Sequence, residues 1–218
     1  MATISRLYDT YEAAAEAMRN LMDAGIPHSD ISLVSNNSDN WYSTTSARGA
    51  GPVTGTVDRD RDGRDDRVEG AEAGAGIGGV AGGIIGLLTG LGLMAIPGVG
   101  PVVAAGWLAS TAAGAAAGGA TGGIIGALTQ AGTTEEDANA YAEGVRRGGT
   151  LVSARVPDAD RGRYEAILNR SSVNIRNRGT AWRNEGWQRF DPNASPYTAD
   201  QIRSARETYR NQRSGLSR

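Results

Sequence analysis

The chain has 218 residues, 32 of them glycine, and a net charge of -2 at pH 7. It has no cysteine and a single histidine, His28, which excludes disulfides, thiolate and His-based metal sites, cysteine nucleophiles and Ser-His triads. Every basic residue is arginine, and the charge is uneven: acid is in excess over residues 1–73 and arginine over residues 135–218.

Residues 2–8 predict a short strand. Asp9, with Glu12 three residues on, predicts a capping box opening a helix. Ala13, Ala14, Ala17, Met18, Leu21 and Met22 form its apolar face, and Gly25 and Pro27 stop it. Ile31 to Val34 predict a second strand, so residues 1–35 form a first βαβ half. Residues 36–72 read as an acidic, flexible linker. Inside it, Asp58-Arg-Asp-Arg-Asp-Gly-Arg-Asp-Asp-Arg-Val-Glu69 fits the twelve-residue calcium loop, with Asp58, Asp60, Asp62, Asp66 and Glu69 at positions 1, 3, 5, 9 and 12. Gly63 supplies the sharp turn, and the carbonyl of Arg64 would be the seventh-position ligand. Asp65 stands where an apolar anchor is usual, no helix precedes Asp58, and four arginines offset the charge. A solvated, charge-balanced linker is the competing reading.

From Ala73 to Thr134 there is no charged side chain. Gly74, Gly78, Gly82, Gly86 and Gly90 recur every fourth residue, as do Gly114, Gly118, Gly122 and Gly126. Residues four apart share a helix face, so each file predicts a bare groove suited to close helix packing. Nine of twelve residues are identical between Gly78–Thr89 and Gly118–Thr129. With the turn at Pro97-Gly98-Val99-Gly100-Pro101, residues 73–132 predict a glycine-zipper helical hairpin: helix A over 74–95 and helix B over 102–131. Two settings fit it, a membrane-lying hairpin or a self-associated one in water. The apolar length and Trp107 favour the first. The alanine-rich helix B and the acidic flanks favour the second.

Residues 133–176 read as a second half. Thr133 and Glu136 cap a helix to Arg147, Leu151 to Val156 form a strand, Asp158 or Asp160 starts a helix, and Val173 to Arg176 form a last strand. The order βαβ…(α)βαβ predicts an α+β, ferredoxin-like split βαβ domain with the hairpin inserted. Residues 177–218 form an arginine- and aromatic-rich tail ending in a helix capped by Thr198 and Gln201. Its aromatics are expected to dock on the sheet while the arginines stay wet. Nucleic-acid binding is not expected, since no recognised motif accompanies the charge.

The β-α-β opening, Ala95-Ile-Pro-Gly-Val-Gly-Pro101 and its continuation to Trp107, and Glu135 to Val152 resemble bacterial proteins with the general stress protein 17M-like domain. The resemblance covers roughly residues 3–176, Tyr141 to Val152 most specifically. It implies a ferredoxin-like domain with a glycine-rich apolar insertion and a link to general stress. It supplies no catalytic residue. The GxGxxG match at Gly74–Gly79 lacks the preceding strand that a dinucleotide site needs. The expectation is a non-enzymatic, stress-associated protein, membrane-attached or self-assembling through the hairpin. The alternative is a homo-oligomeric or calcium-responsive binding module. No cofactor other than calcium and no small-molecule substrate is expected. The first residues carry no signal-peptide apolar run, which points to the cytoplasm, with attachment to the inner membrane left open.

Overall fold

The computed structural model describes residues 1–42, 92–111 and 123–215. The chain divides into two compact units, Met1–Asn40 with Gly90–Arg218, and Trp41–Thr89. Of the second unit only Trp41 and Tyr42 are described; their rings meet edge to face at 5.9 Å. The calcium-loop residues Asp58 to Glu69, and Gly74, Gly78, Gly82, Gly86, Gly90, Gly114, Gly118 and Gly122, lie outside the described residues.

The first unit is an α+β fold on a five-stranded antiparallel sheet. Strand β1 (Ala2–Tyr8) leads to helix α1 (Tyr11–Asp23) and strand β2 (Ile31–Asn36). Next come β3 (Gly92–Ile96), β4 (Gly100–Ala105), α2 (Gly123–Gln130) and α3 (Glu135–Arg146). The remainder is β5 (Thr150–Val156), α4 (Arg161–Asn169), α5 (Ile175–Asn184) and α6 (Ala199–Gly215). The sheet order is β1-β5-β2-β4-β3. β5 therefore lies between β1 and β2, antiparallel to both. Beyond β1, the Val173 amide donates to the Leu7 carbonyl at 2.7 Å and forms a single bridge on its outer side.

Alternation along β1 assigns the two faces. Tyr8 donates its hydroxyl to the Leu168 carbonyl of α4, whereas Leu7 packs against Gly144 of α3. α1 and α4 thus cover one face, and α3, flanked by α2 and α5, covers the other. The approach at Gly144 is close: a Cβ there would sit 2.4 Å from Leu7 Cδ2. The core on the α3 face joins Leu7, Val34, Val102, Leu128, Val145, Leu151 and Trp182. Each such side chain contributes about 1.5–3 kcal/mol by leaving water.

Several boundaries differ from the sequence expectations, each for a local reason. α1 is capped by Thr10, whose hydroxyl accepts from the Ala13 amide, and the Asp9 carboxylate pairs with Arg178. α3 is capped one residue later than expected, by Thr134 accepting from the Asp137 amide. Asp160 precedes α4 without a side-chain cap. Val173 to Arg176 is not a strand. Asn174 caps α5 by accepting from the Asn177 amide, so helix begins at Ile175.

The largest correction concerns the hairpin. Residues 92–96 and 100–105 are strands, not the end of helix A and the start of helix B. Pro97 and Gly98 (φ +73°) occupy the centre of a tight turn closed by the Val99 amide on the Ile96 carbonyl. β-branched Ile96, Val102 and Val103 suit extended backbone, and β4 finds a partner in β2. Gly106 (φ +82°) ends β4, where a Cβ would sit 2.4 Å from the Ile31 carbonyl oxygen. Helix resumes at 107–111 and in α2. Among the described residues no helix is long and apolar enough to cross a membrane.

The tail is part of the domain, not an appendage. Trp182 and Phe190 are buried in the core, and Ile202 is fully buried. Backbone at Asp191 and Pro192 lies against the β3–β4 turn, so a Cβ at Gly98 would sit 2.6 Å from the Asp191 oxygen. The Thr198 and Gln201 capping box is present at the start of α6, each side chain accepting from the other's amide.

Candidate functional site

Gly126 is the one described member of the glycine files. A Cβ there would meet nothing within 4 Å outside its own helix, so no backbone is clasped against it among the described residues. It borders instead an open cavity of about 740 Å³ with Ile125, Thr129, Arg189 and Phe190. Among the described residues no group of His, Asp and Glu is arranged to hold a metal ion.

What the fold does assemble is an arginine and aromatic network where α5 and α6 meet α3 and the β1–α1 turn. Spacings of three and four bring Arg146, at the end of α3, and Arg147, its C-cap, onto Glu143. Glu143 is completely buried, with Arg147 Nε at 2.7 Å and Arg146 Nη1 at 3.3 Å. Burial works against the Arg147 charge, but the hydrogen bond and negative charge of Glu143 outweigh it and raise the Arg147 pKa above the usual arginine value. Its guanidinium stacks 4.9 Å from the Trp182 ring centre. Arg206 of α6 donates to the carbonyls of Gly148 and Asn36 and pairs with Asp39. Burial lowers the Arg206 pKa, with Asp39 and Glu12 opposing that shift. In the tail, Arg206 is tied into the fold, contrary to the expectation that the arginines there stay wet, whereas Arg189 and Arg203 are exposed.

The cleft of this region lies between α5 and α6, has a volume of about 530 Å³, and opens over the end of β1. Asp9 and Arg178 form its floor, and Trp182 and Tyr209 supply the rings. Arg178 Nη2 lies 3.2 Å from Asp9 Oδ1, and its guanidinium sits 3.8 Å above the Tyr209 ring centre. The Trp182 indole donates to the Tyr209 hydroxyl at 3.3 Å. None of these four was expected to form a site. The alternation of arginine with aromatics in the tail is the signal that carried it; the partner Asp9 is 169 residues away from Arg178 in sequence and carries none.

The two outer edges of the sheet form the other feature of note. On β1, the Ser5 carbonyl accepts from the Tyr141 hydroxyl at 2.7 Å and from Arg6 Nη1 at 2.8 Å, and Leu7 is bridged by Val173. Burial raises the pKa of both Tyr8 and Tyr141, with nearby Arg6 opposing. On β3 nothing pairs with the outer side among the described residues. Leu93 is 46% exposed, and Ala95 is exposed as well. Comparison with protein-family models, with curated proteins and with solved structures returns no match for this chain.

Proposed function

We propose that the chain is a non-enzymatic, self-associating protein built on a ferredoxin-like split βαβ plan, and that it pairs through the open edge of β3. The fold reading is supported by β5 lying between β1 and β2, by α1 and α4 on one face, and by Val173 at the place of a fourth, outermost strand. On this reading β3 and β4 belong to the insertion. It is also the plan implied by the resemblance to the general stress protein 17M-like group, and a role in general stress is proposed on that resemblance.

The observation that carries self-association is the character of β3. Soluble proteins block free sheet edges with charge, proline, bulges or a covering segment. Gly92-Leu-Met-Ala-Ile96 contains no charge and no proline, and it sits in a stretch without charge from Ala73 to Thr134. Two copies set antiparallel about Met94 would place Leu93 opposite Ala95, large against small on one face. Light scattering coupled to size-exclusion chromatography tests this on the full chain. Wild type is expected to elute as a dimer or larger species at micromolar concentration, and Leu93→Lys as a monomer. A monomeric wild type at those concentrations defeats the reading.

Attachment to a membrane is a second reading, favoured by the same charge-free stretch. Flotation with lipid vesicles separates the two, because vesicle-bound wild type whose binding survives Leu93→Lys supports attachment over edge pairing. A calcium-responsive loop at Asp58 to Glu69 stays a proposal on its sequence spacing, tested by calorimetric titration with millimolar calcium.

A further inference from the structure

We infer that the cleft between α5 and α6 is a binding site for a monocarboxylate carried on an aromatic or apolar group, with Arg178 as its anchor. An arginine recognises a carboxylate through two parallel N–H donors of one planar fork, and does so best when the fork is already immobilised. Arg178 meets that condition. Its Nη2 is directed to Asp9, and its plane rests on the Tyr209 ring at 3.8 Å. Tyr209 is in turn fixed by the Trp182 indole. Nη2 carries two N–H bonds, and each edge of the fork shares one of them, with Nε or with Nη1. Asp9 engages Nη2 alone, and Nε and Nη1 make no hydrogen bond among the described residues, so the edge turned away from Asp9 stays available. Little rotamer entropy is left to lose on binding, which is the usual penalty for an arginine contact.

The surroundings favour a single negative charge. Asn174 and Asn177 on the first turn of α5 line the cleft beside Arg178. A helix N-terminus attracts anions, and the amide side chains offer further donors. Asp9 does not forbid an anion there. It directly precedes Thr10, the N-cap of α1, so that second helix dipole also stabilises its charge. Glu185 at the other end of the cleft is held by Arg147 at 3.4 Å, but its charge and that of Asp9 weigh against a dianion such as phosphate. The rings of Trp182 and Tyr209, with Ala181 and Ala205 on the two walls, give an apolar group a place to lie. The volume of about 530 Å³ is within the ordinary range for small-molecule sites. The cleft opens at the β1 side of the sheet, whereas pairing is proposed at β3, so the two readings fail separately.

The test uses the full chain with 4-fluorobenzoate, acetate and inorganic phosphate as probes. Fluorine line broadening of 4-fluorobenzoate is expected to saturate at millimolar ligand. In the same titration the Arg178 Nε–H resonance should shift more than those of the exposed Arg203 and Arg161. Arg178→Lys keeps the charge but removes the fork, and should weaken binding by about 10-fold or more. Thr208→Trp, at an exposed wall position, fills the cleft without touching Asp9 or Arg178 and should abolish binding even if the lysine variant does not fold. Acetate should compete only weakly, because it lacks the ring. Unsaturable broadening, equal shifts at all arginines, phosphate binding tighter than 4-fluorobenzoate, or undiminished binding in Thr208→Trp would each overturn the assignment.

Discussion

The two edges of one sheet are treated in opposite ways. The outer side of β1 is closed by a backbone bridge from Val173 and by two side chains, Tyr141 and Arg6, that occupy the Ser5 carbonyl. The outer side of β3 has neither a bridging strand nor a capping side chain among the described residues, and it shows Leu93 to solvent. The difference teaches that a free edge here is a local choice. Among the described residues the blocking groups come from β1 itself, from α3 and from the segment before α5, all at the β1 edge.

The largest expected effect comes from the base of the open edge. Gly98→Val places a β-branched side chain at φ +73°, against the backbone of Asp191 and Pro192. A loss of about 3 kcal/mol or more in chemical denaturation is expected from the strained backbone and the clash together. An unchanged midpoint would show that the tail does not hold the hairpin in place.

The closed edge can be opened in two ways. Tyr141→Phe leaves the buried Ser5 carbonyl with Arg6 alone, and should lower stability by about 1 kcal/mol. Alkaline pH attacks this edge through Tyr141, and the packing of β1 on α4 through Tyr8. Tyr8 and Tyr141 both have phenol pKa values raised by burial, so the folded state keeps its protons above the pH at which the unfolded chain gives them up. Their contribution is intact below the usual tyrosine value of about 10 and is lost progressively as pH rises from there through the raised folded values. Denaturation midpoints should therefore fall steeply above that pH, and less steeply in Tyr141→Phe. A flat profile in wild type would contradict the burial of these hydroxyls.

The smallest effect on stability is expected at β3. Leu93→Lys should change the unfolding free energy by no more than about 0.5 kcal/mol, since the side chain is largely in water. The same substitution is the one expected to dissolve the assembly. A large stability loss in the dilute monomer would mean that Leu93 supports the fold, and would remove the contrast between the edges.

Most of the first unit could be read from the chain. β1, α1, β2, α3, β5 and α4 all follow from periodicity and stop signals, with the caps of α1 and α3 displaced by one residue. The misreading at 92–105 has an identifiable source. The four-residue glycine spacing holds from Gly74 to Gly90 and from Gly114 to Gly126, but not between them. There the glycines fall at 92, 98, 100 and 106, at even spacings, and flank a Pro-Gly turn between β-branched residues. That is a hairpin pattern, set between two stretches whose helix pattern runs up to it from either side. The tail misled differently. Val173 and Ile175 alternate around Asn174 as in a strand, yet Asn174 caps α5.

By itself the sequence determined most of the segments in the first unit, where the Pro97-Gly98 turn must fall, and that a long block carries no charge, but not whether 92–105 is helix or strand. Those properties depend on residues three or four apart, whose interactions survive in any context. Only the tertiary structure decided that β5 lies between β1 and β2, that Asp9 pairs with Arg178, and that β3 is left at an edge. These pairings join residues far apart in the chain. Their choice rests on which faces can be buried together at close packing, and no local pattern encodes that.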